Sequence, residues 1–228
     1  MRPFYGRLKG KTLTPANEAF YANHRIQVEQ PPEKSLLNPL KAYSHRVLEI
    51  GFGGGERLAA QLNLHPEKCF VGIEPFLNGM IKLLKVLDNS PDVKARVLLS
   101  RHPLSTWLPV LPDGFFQEID LLFPDPWRKK RHHKRRLVQA ETLKEFHRLL
   151  APKGRLLVAS DHTDYIAHIH QCFYHPFQTL FAYQAGVKGL KAETWPSWPS
   201  GWPLTRYAQK ALKAGKPLAY FLWEKQEI

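Results

Sequence analysis

The sequence has little cysteine, no long apolar run and too few acids to balance its bases. Its 228 residues include two cysteines, Cys69 and Cys172, which form no CxxC pair and predict neither a zinc site nor a disulfide framework. No apolar run approaches the ~18 residues of a membrane span, and no signal-peptide core is present at the N-terminus. We therefore expect a cytoplasmic protein with no metal and no membrane attachment, and with a core large enough for one domain.

The charge balance favours a polyanionic partner. The chain carries 33 Lys and Arg against 20 Asp and Glu, a formal net charge of +13, and seven of these bases lie between Arg128 and Arg136. A compact chain does not need such self-repulsion to fold, and the excess is typical of proteins that bind nucleic acid. An acidic membrane is the weaker alternative, because no long basic helix with an aromatic apolar face is evident.

Short apolar runs alternate with helical stretches along the chain. Strands are predicted at 46–50, 69–74, 95–100, 117–123, 155–160, 178–184 and 219–225, and helices at 56–63, around 80–87, at 137–150 and at 164–173. This order predicts an α/β fold, a mostly parallel seven-stranded sheet with helices on both faces and an antiparallel edge strand. No helix is predicted between the last two strands. Residues 1–34 show no clean period and are interpreted as a basic, mobile arm before one domain at 35–228.

A glycine-rich turn follows the first strand. The stretch LEIGFGGGE contains Glu49 and then four glycines, at positions 51, 53, 54 and 55. The dinucleotide fingerprint GxGxxG would need a glycine where the chain has Glu56. The form found here, Glu-x-Gly-x-Gly-x-Gly, resembles that of S-adenosylmethionine-dependent methyltransferases. The amine and sulfonium of that cofactor are cationic, and the Glu49 carboxylate suits them.

A second acid, Glu74, ends the second strand 23 residues after Gly51. This is the usual position of a carboxylate that accepts hydrogen bonds from two ribose hydroxyls. Either motif alone is common, since many glycine turns are only turns and many strand-ending acids are only solvated. Together, in this strand order, Gly51, Gly53 and Glu74 predict a site for a cofactor that contains a nucleoside.

The fourth strand ends in the stretch FPDPWRKKRHHKRR, residues 123–136. Two prolines flank Asp125 and restrict the backbone around it, so its carboxylate is held as a positioned acceptor would be. Trp127 can stack on a base or cap the core, and the sequence does not decide between them. We expect the basic run to follow a phosphate backbone, although a solvated loop is the plainer alternative. Ligands of such sheets bind beyond the carboxyl ends of the strands, where this junction is expected.

The junction FPDPWRKKRHHKRRLV resembles the signature of the bacterial tRNA (guanine(46)-N7)-methyltransferases, which normally have Pro in place of Arg128. Similarity extends through LEIGFGGGE, GIEPF, VASDHTDY and LTRYAQKA, and the N-terminal FYGRLKGKTLTP resembles a basic arm of that family. The resemblance implies a Rossmann-like class I methyltransferase that uses S-adenosyl-L-methionine and acts on tRNA. We expect the chain to act as a monomer or a homodimer, and the sequence does not decide between the two.

The resemblance also implies roles for individual residues. Asp125 would read the target guanine and lie against the cofactor as the catalytic residue. Substrate contacts are implied for Lys129, Asp161 and the three residues Thr205, Arg206 and Tyr207. Two positions depart from the family pattern: Ala208 replaces the Glu of the T-x-x-E motif, and His102 stands near the position of an acid beside adenine.

Three alternatives stay open at this point. A non-catalytic RNA-binding protein on a methyltransferase scaffold is compatible with the departures at His102 and Ala208. A methyltransferase acting on ribosomal RNA or on another tRNA base would use the same motifs. A nicotinamide-dependent oxidoreductase is the least favoured, because the third glycine is misplaced and no Tyr-x-x-x-Lys pattern is present.

Overall fold

The computed structural model of the protein describes residues 8, 10–174, 179–190 and 205–227. Its strands are β1 His45–Ile50, β2 Lys68–Ile73, β3 Val97–Ser100, β4 Phe116–Leu122, β5 Leu150–Ser160, β6 Phe181–Leu190 and β7 Leu218–Lys225. Its helices are α1 Pro15–Glu29, α2 Glu56–Leu64, α3 Leu77–Leu87, α4 Pro91–Lys94, α5 Leu104–Trp107, α6 Ala140–Leu149, α7 Thr163–Tyr174 and α8 Arg206–Lys213. The strands form a seven-stranded sheet in the order β3-β2-β1-β4-β5-β7-β6. The predicted fold class is confirmed.

Within the described residues, one compact unit ends at Pro112 and a second begins at Asp113. In the first unit, β1 pairs in parallel with β2, and β2 with β3. Parallel pairing brings the carboxyl ends of the three strands to one edge, so the turn after Ile50 and the chain after Ile73 emerge together. The core of this unit joins buried side chains of α2 and α3 to those of the strands.

The second unit contains the antiparallel part of the sheet. Strand β4 pairs in parallel with β5, whereas β7 runs antiparallel to both β5 and β6. The chain segments that follow β4 and β5 therefore leave the same edge of the sheet. Helix α8 packs its buried Ala208 and Ala211 into a cluster with Leu122, Leu157 and Ala159 of these strands.

Four helices were not predicted from the sequence: the four-residue helices α4 and α5, and the longer α1 and α8. Helix α1 begins after Thr14, whose side chain caps it by accepting from the Asn17 N–H, and it buries only Tyr21 and Val28. Such a thin apolar face leaves little periodic signal. Helix α8 lies between β6 and β7, where no helix was expected, because its buried face is built from alanines.

Some predicted features fall outside the described part of the chain. They are residues 1–7 and 9 of the proposed arm and residues 194–204 of the loop TWPSWPSGWPLTRY. The division at residue 34 stays a prediction, and helix α1 lies within the segment assigned to the arm. Among the helices that the structure describes, none combines the length and the apolar character needed to cross a bilayer.

Candidate active site

The turn after β1 is held in shape by the backbone itself. The Gly51 N–H donates to the Ile73 carbonyl at 2.8 Å, and the Gly55 N–H donates to the Phe52 carbonyl at 2.9 Å. Gly51, Gly53 and Gly55 all have φ between 60° and 76°, a left-handed conformation that glycine adopts without steric cost. The glycines predicted as cofactor-binding thus set the path of the turn.

Glu74 ties this turn to the end of β2. Its Oε2 accepts from the Gly53 N–H at 2.7 Å, and its Oε1 accepts from the Phe76 N–H at 2.9 Å. Both carboxylate oxygens are thus engaged by backbone N–H groups, one in the glycine turn and one just after β2. The carboxylate is therefore fixed in position beside the glycine turn, and its contact with ribose hydroxyls stays a prediction.

Helix α3 approaches the glycine turn very closely. A Cβ built on Gly79 would lie 2.0 Å from the Gly53 carbonyl oxygen, far inside van der Waals contact. Only a glycine at position 79 allows the helix to seat against the turn. The glycine turn and the carboxylate of Glu74 together fit a nucleoside that needs close backbone approach and a hydroxyl acceptor, as S-adenosylmethionine does.

Glu49 is not a free carboxylate at the end of β1. Its Oε2 accepts from Nη1 of Arg57 at 3.0 Å, and the two side chains are 4% and 2% exposed. Arg57 belongs to α2, so this buried ion pair fastens the strand to the helix that follows the turn. The proposed contact of Glu49 with the cofactor amine stays a prediction, and sequence analysis missed its partner.

A polar cluster centred on Arg101 reaches the residue that follows Glu74. Nη1 of Arg101 donates to Tyr21 Oη at 2.8 Å and to Glu29 Oε1 at 2.5 Å, and Nη2 donates to the Pro75 carbonyl at 3.2 Å. Tyr21 in turn donates to Glu29 at 2.6 Å; burial, followed by the bond to Glu29, raises the Tyr21 pKa to about 12. Arg101 thus connects α1 to the residue that directly follows Glu74.

His102 lies beside this cluster. Its Nε2 is 3.0 Å from the Glu29 carbonyl oxygen, and its N–H donates to Ser100 Oγ at 3.1 Å. The imidazole that stands near the position of the family acid is therefore engaged with the end of α1. No sequence motif marked Tyr21, Glu29 or Arg101, because their relation is tertiary.

The junction after β4 has an unusual backbone. Phe123 and Trp127 have φ of 52° and 46°, positive values that are uncommon for bulky residues and mark functional sites more often than ordinary loops. The Phe123 N–H donates to the Ala159 carbonyl at 2.8 Å, which keeps the start of the junction on β5. The two prolines and Asp125 therefore lie between two left-handed residues.

The Asp125 carboxylate has no hydrogen bond or ion pair with any residue that the structure describes. The residue keeps solvent exposure, yet neighbouring atoms desolvate the carboxylate and raise its pKa above the ordinary value. An acid held rigidly without a partner is suited to bind one from a ligand.

Arg136 is the residue that folds the basic run back onto the junction. Its Nε donates to the Pro126 carbonyl at 2.9 Å, its Nη2 binds the Asp164 carboxylate, and its guanidinium lies 4.9 Å from the Tyr165 ring centroid. The side chain is buried. The hydrogen bond from Arg136 lowers the Asp164 pKa. One of the predicted phosphate-contacting cations is thus a structural anchor.

The rest of the run is exposed apart from the half-buried His132, His133 and Arg135. Lys129 precedes a short 3₁₀ helix, Lys130–Arg135, and its ammonium group has no partner among the described residues. Arg135 lies 5.0 Å from the Trp127 ring centroid, and His132 meets the same ring edge-on at 5.8 Å. Trp127 therefore packs against the basic run, an arrangement that neither sequence-based interpretation anticipated.

The remaining predicted substrate residues lie near the ends of β5 and α8. Asp161 Oδ2 is 3.3 Å from Nζ of Lys216. Thr205 caps α8 by accepting from the Ala208 N–H at 3.1 Å, and Arg206 is exposed in the first turn. The Tyr207 ring stacks on Phe123 with centroids 6.2 Å apart, so the start of α8 lies against the loop that carries Asp125.

The fold and the glycine turn define a class I methyltransferase. Solved structures with the same fold include the 16S rRNA methyltransferase KamB, with a TM-score of 0.63, 14% identity and coverage of 88% of this chain and 99% of that one. The antibiotic-resistance methyltransferase Kmr aligns with a TM-score of 0.59 at 16% identity, over 89% of this chain and 98% of that one. At such identities these likenesses concern the fold alone.

The model of a protein family described as "Putative methyltransferase" matches residues 44–219 of this chain. Curated relatives named tRNA (guanine-N(7)-)-methyltransferase are 39% identical in Agrobacterium fabrum and 38% identical in Brucella anthropi, each over 95% of this chain and 92% of the relative. A relative of the same name in Rhodospirillum rubrum is 37% identical over 98% of this chain and 88% of its own length. The chain therefore belongs to the tRNA (guanine-N7)-methyltransferase family.

Proposed function

We propose that this protein transfers the methyl group of S-adenosyl-L-methionine to N7 of guanine 46 in the variable region of tRNA. The observation that carries the proposal is the family relationship, which extends over 95% of the chain at 36–39% identity. The choice of position 46 rests on the resemblance of the junction at residues 123–136. The name of these relatives supports methylation of guanine N7 as the reaction and tRNA as the substrate class, without the position of the nucleotide.

The first compact unit would hold the cofactor. Gly51 and Gly53 let the backbone approach the nucleoside, and Glu74 accepts from its ribose hydroxyls. Glu49 would act from its ion pair with Arg57, either on the cofactor amine or by fixing the turn. When bound, the cofactor supplies a methyl group made electrophilic by its sulfonium.

Asp125 would act on the guanine. N7 carries an in-plane lone pair, so no proton must be removed before it attacks, and a strong base is unnecessary. The residue must instead orient the base and offset the positive charge that develops on the ring. A partner-free carboxylate held between two prolines can accept from the N1–H and the N2 amino group and perform both tasks. The same carboxylate is our candidate for a contact with the cofactor.

Other residues of the second unit would hold the RNA. Lys129 offers an unpaired cation to a phosphate, and Thr205 keeps its hydroxyl proton for donation, because its oxygen accepts from the Ala208 N–H. Asp161 would meet the substrate from its ion pair with Lys216. Ala208 is buried and cannot replace the missing family glutamate, so that contact is absent at this position. We place the reaction in the cytoplasm, by a monomer or a homodimer.

Transfer of labelled methyl from S-adenosylmethionine to unmodified tRNA tests the proposal. Borohydride and aniline cleavage would then map 7-methylguanine along the RNA, with a tRNA carrying adenine at position 46 as the control. We expect one cleavage at position 46 in the first RNA and none in the second. Cleavage elsewhere would contradict the choice of nucleotide, and tRNA binding without transfer would support a non-catalytic RNA-binding protein.

A further inference from the structure

Helix α8 presents a stripe of positive charge to solvent. Arg206, Lys210 and Lys213 are all exposed, and they are spaced four and three residues apart, which aligns them on one face of an α-helix. None of these side chains has a partner among the described residues. The helix contains no acidic residue.

The opposite face of α8 is fixed to the protein core. Ala208 and Ala211 are 1% exposed and belong to the same buried cluster as Leu122, with Leu212 packed against it. The helix therefore cannot turn its cations inward, and their repulsion remains uncompensated along the stripe. Such an arrangement is stabilised by a polyanion that lies along the helix.

The stripe begins at the junction. Tyr207, which follows Arg206, is 57% exposed and stacks on Phe123, two residues before Asp125. The basic run at residues 128–135 follows the Asp125 segment of the same junction in the sequence. Cations thus extend from the predicted guanine contact along two different elements of one compact unit.

We propose that Arg206, Lys210 and Lys213 form a second contact surface for the phosphate backbone of the tRNA substrate. This inference rests on the proposed function, and it assigns Lys210 and Lys213 as additional RNA-binding residues. With Lys129 and its neighbours on one element and α8 on the other, the RNA is held on two sides of the nucleotide to be methylated. The contacts are electrostatic, so they strengthen binding without selecting a base.

The test is the salt dependence of tRNA binding by the double variant Lys210→Gln/Lys213→Gln. Glutamine keeps a similar helix propensity and does not touch the buried face. We expect the slope of log K against log salt concentration to fall by about 2, about 1 for each lysine. Kd at ~0.1 M salt should rise by roughly 10-fold or more, with affinity for S-adenosylmethionine and the rate at saturating tRNA unchanged.

A matched control removes the same charge elsewhere. Lys34 and Lys144 are exposed, lie on other elements, and have no side-chain partner among the described residues, so Lys34→Gln/Lys144→Gln should change the slope little. The proposal would be overturned if the two double variants showed the same salt dependence of tRNA binding. It would also be overturned if the α8 variant lost binding to anionic vesicles but kept its affinity for tRNA. If wild-type protein transfers no methyl group to tRNA, the proposed function fails, whereas normal wild-type transfer with a normal α8 variant defeats this inference alone.

Discussion

Nε of Arg136 donates a hydrogen bond of 2.9 Å to the carbonyl of Pro126, ten residues earlier in the chain. The bond closes residues 126–136 into a loop, and the same guanidinium also binds Asp164 of α7. One cation therefore fixes the loop from within the basic run. Similar residues in one charged run have separate physical tasks.

Replacing Arg136 with Lys should destabilise the junction although the charge is kept. An ammonium group cannot reproduce the planar fork that reaches Pro126, His133 and Asp164 together. We expect the free energy of unfolding to fall by about 2 kcal/mol, measured by urea denaturation, and the methylation rate to fall with it. The exposed Arg131→Lys is the control, and equal stability of the two variants would contradict the anchoring role.

Replacing Asp125 with Asn should separate activity from stability. The shape is kept but the charge that offsets the methylated guanine is lost, so we expect turnover to drop roughly 100-fold or more. The thermal midpoint at neutral pH should rise, because the wild-type carboxylate is partly desolvated and has no partner in the described structure. Asp92→Asn, at an exposed position, is the control. Normal turnover would remove Asp125 from the catalytic assignment.

The Asp125 pKa also predicts a pH dependence. Desolvation raises this pKa in the folded state, so the folded protein binds the proton more tightly than the unfolded chain. The stability linked to this group is therefore complete at acid pH and is lost as the pH rises through the raised pKa. In the proposed mechanism methyl transfer needs the ionised form, so the acid limb of the rate should lie above ~3.9, the pKa of an ordinary aspartate. A wild-type limb that persists unchanged in Asp125→Asn would assign it to another group.

Replacing Gly79 with Ala should weaken cofactor binding from a position that is not expected to contact the cofactor. The new Cβ would collide with the Gly53 carbonyl, so either the turn or α3 must move. We expect roughly 10-fold weaker binding of S-adenosylmethionine by calorimetry and a stability loss of about 1–3 kcal/mol. Alanine has a higher helix propensity than glycine. A variant that is more stable and binds S-adenosylmethionine with normal affinity would therefore show that the contact between α3 and the turn is unimportant. Val86→Ala, exposed on the same helix, is the control.

Replacing Glu49 with Gln tests whether its carboxylate serves the protein or the cofactor. Without cofactor, the variant removes the carboxylate charge that lies 3.0 Å from the buried Arg57, and we expect a stability loss of about 3 kcal/mol. The double variant Glu49→Leu/Arg57→Met should recover part of this loss, since no buried charge then remains unpaired. Unchanged stability combined with weak cofactor binding would instead show that Glu49 acts on the cofactor.

Much of the fold could be predicted from the chain, because its signals are local. Apolar runs and amphipathic helices identified most elements, and the boundaries of β1 and α2 were close to those observed. Helices α1 and α8 were missed, the first because it buries only two side chains and the second because its buried face is alanine. The i, i+4, i+7 spacing of Arg206, Lys210 and Lys213 was a usable signal, hidden by the assignment of Tyr207 to a loop.

The sequence by itself determined the chemical groups: the glycines of the turn, the acids that end strands, and a carboxylate between two prolines before a basic run. These follow from residue type and spacing, which act over a few residues. Only the tertiary structure decided which groups are engaged, because burial and pairing join residues far apart in the chain. It bound Glu49 to Arg57, assigned Arg136 to the junction rather than to solvent, and left Asp125 without a partner among the described residues.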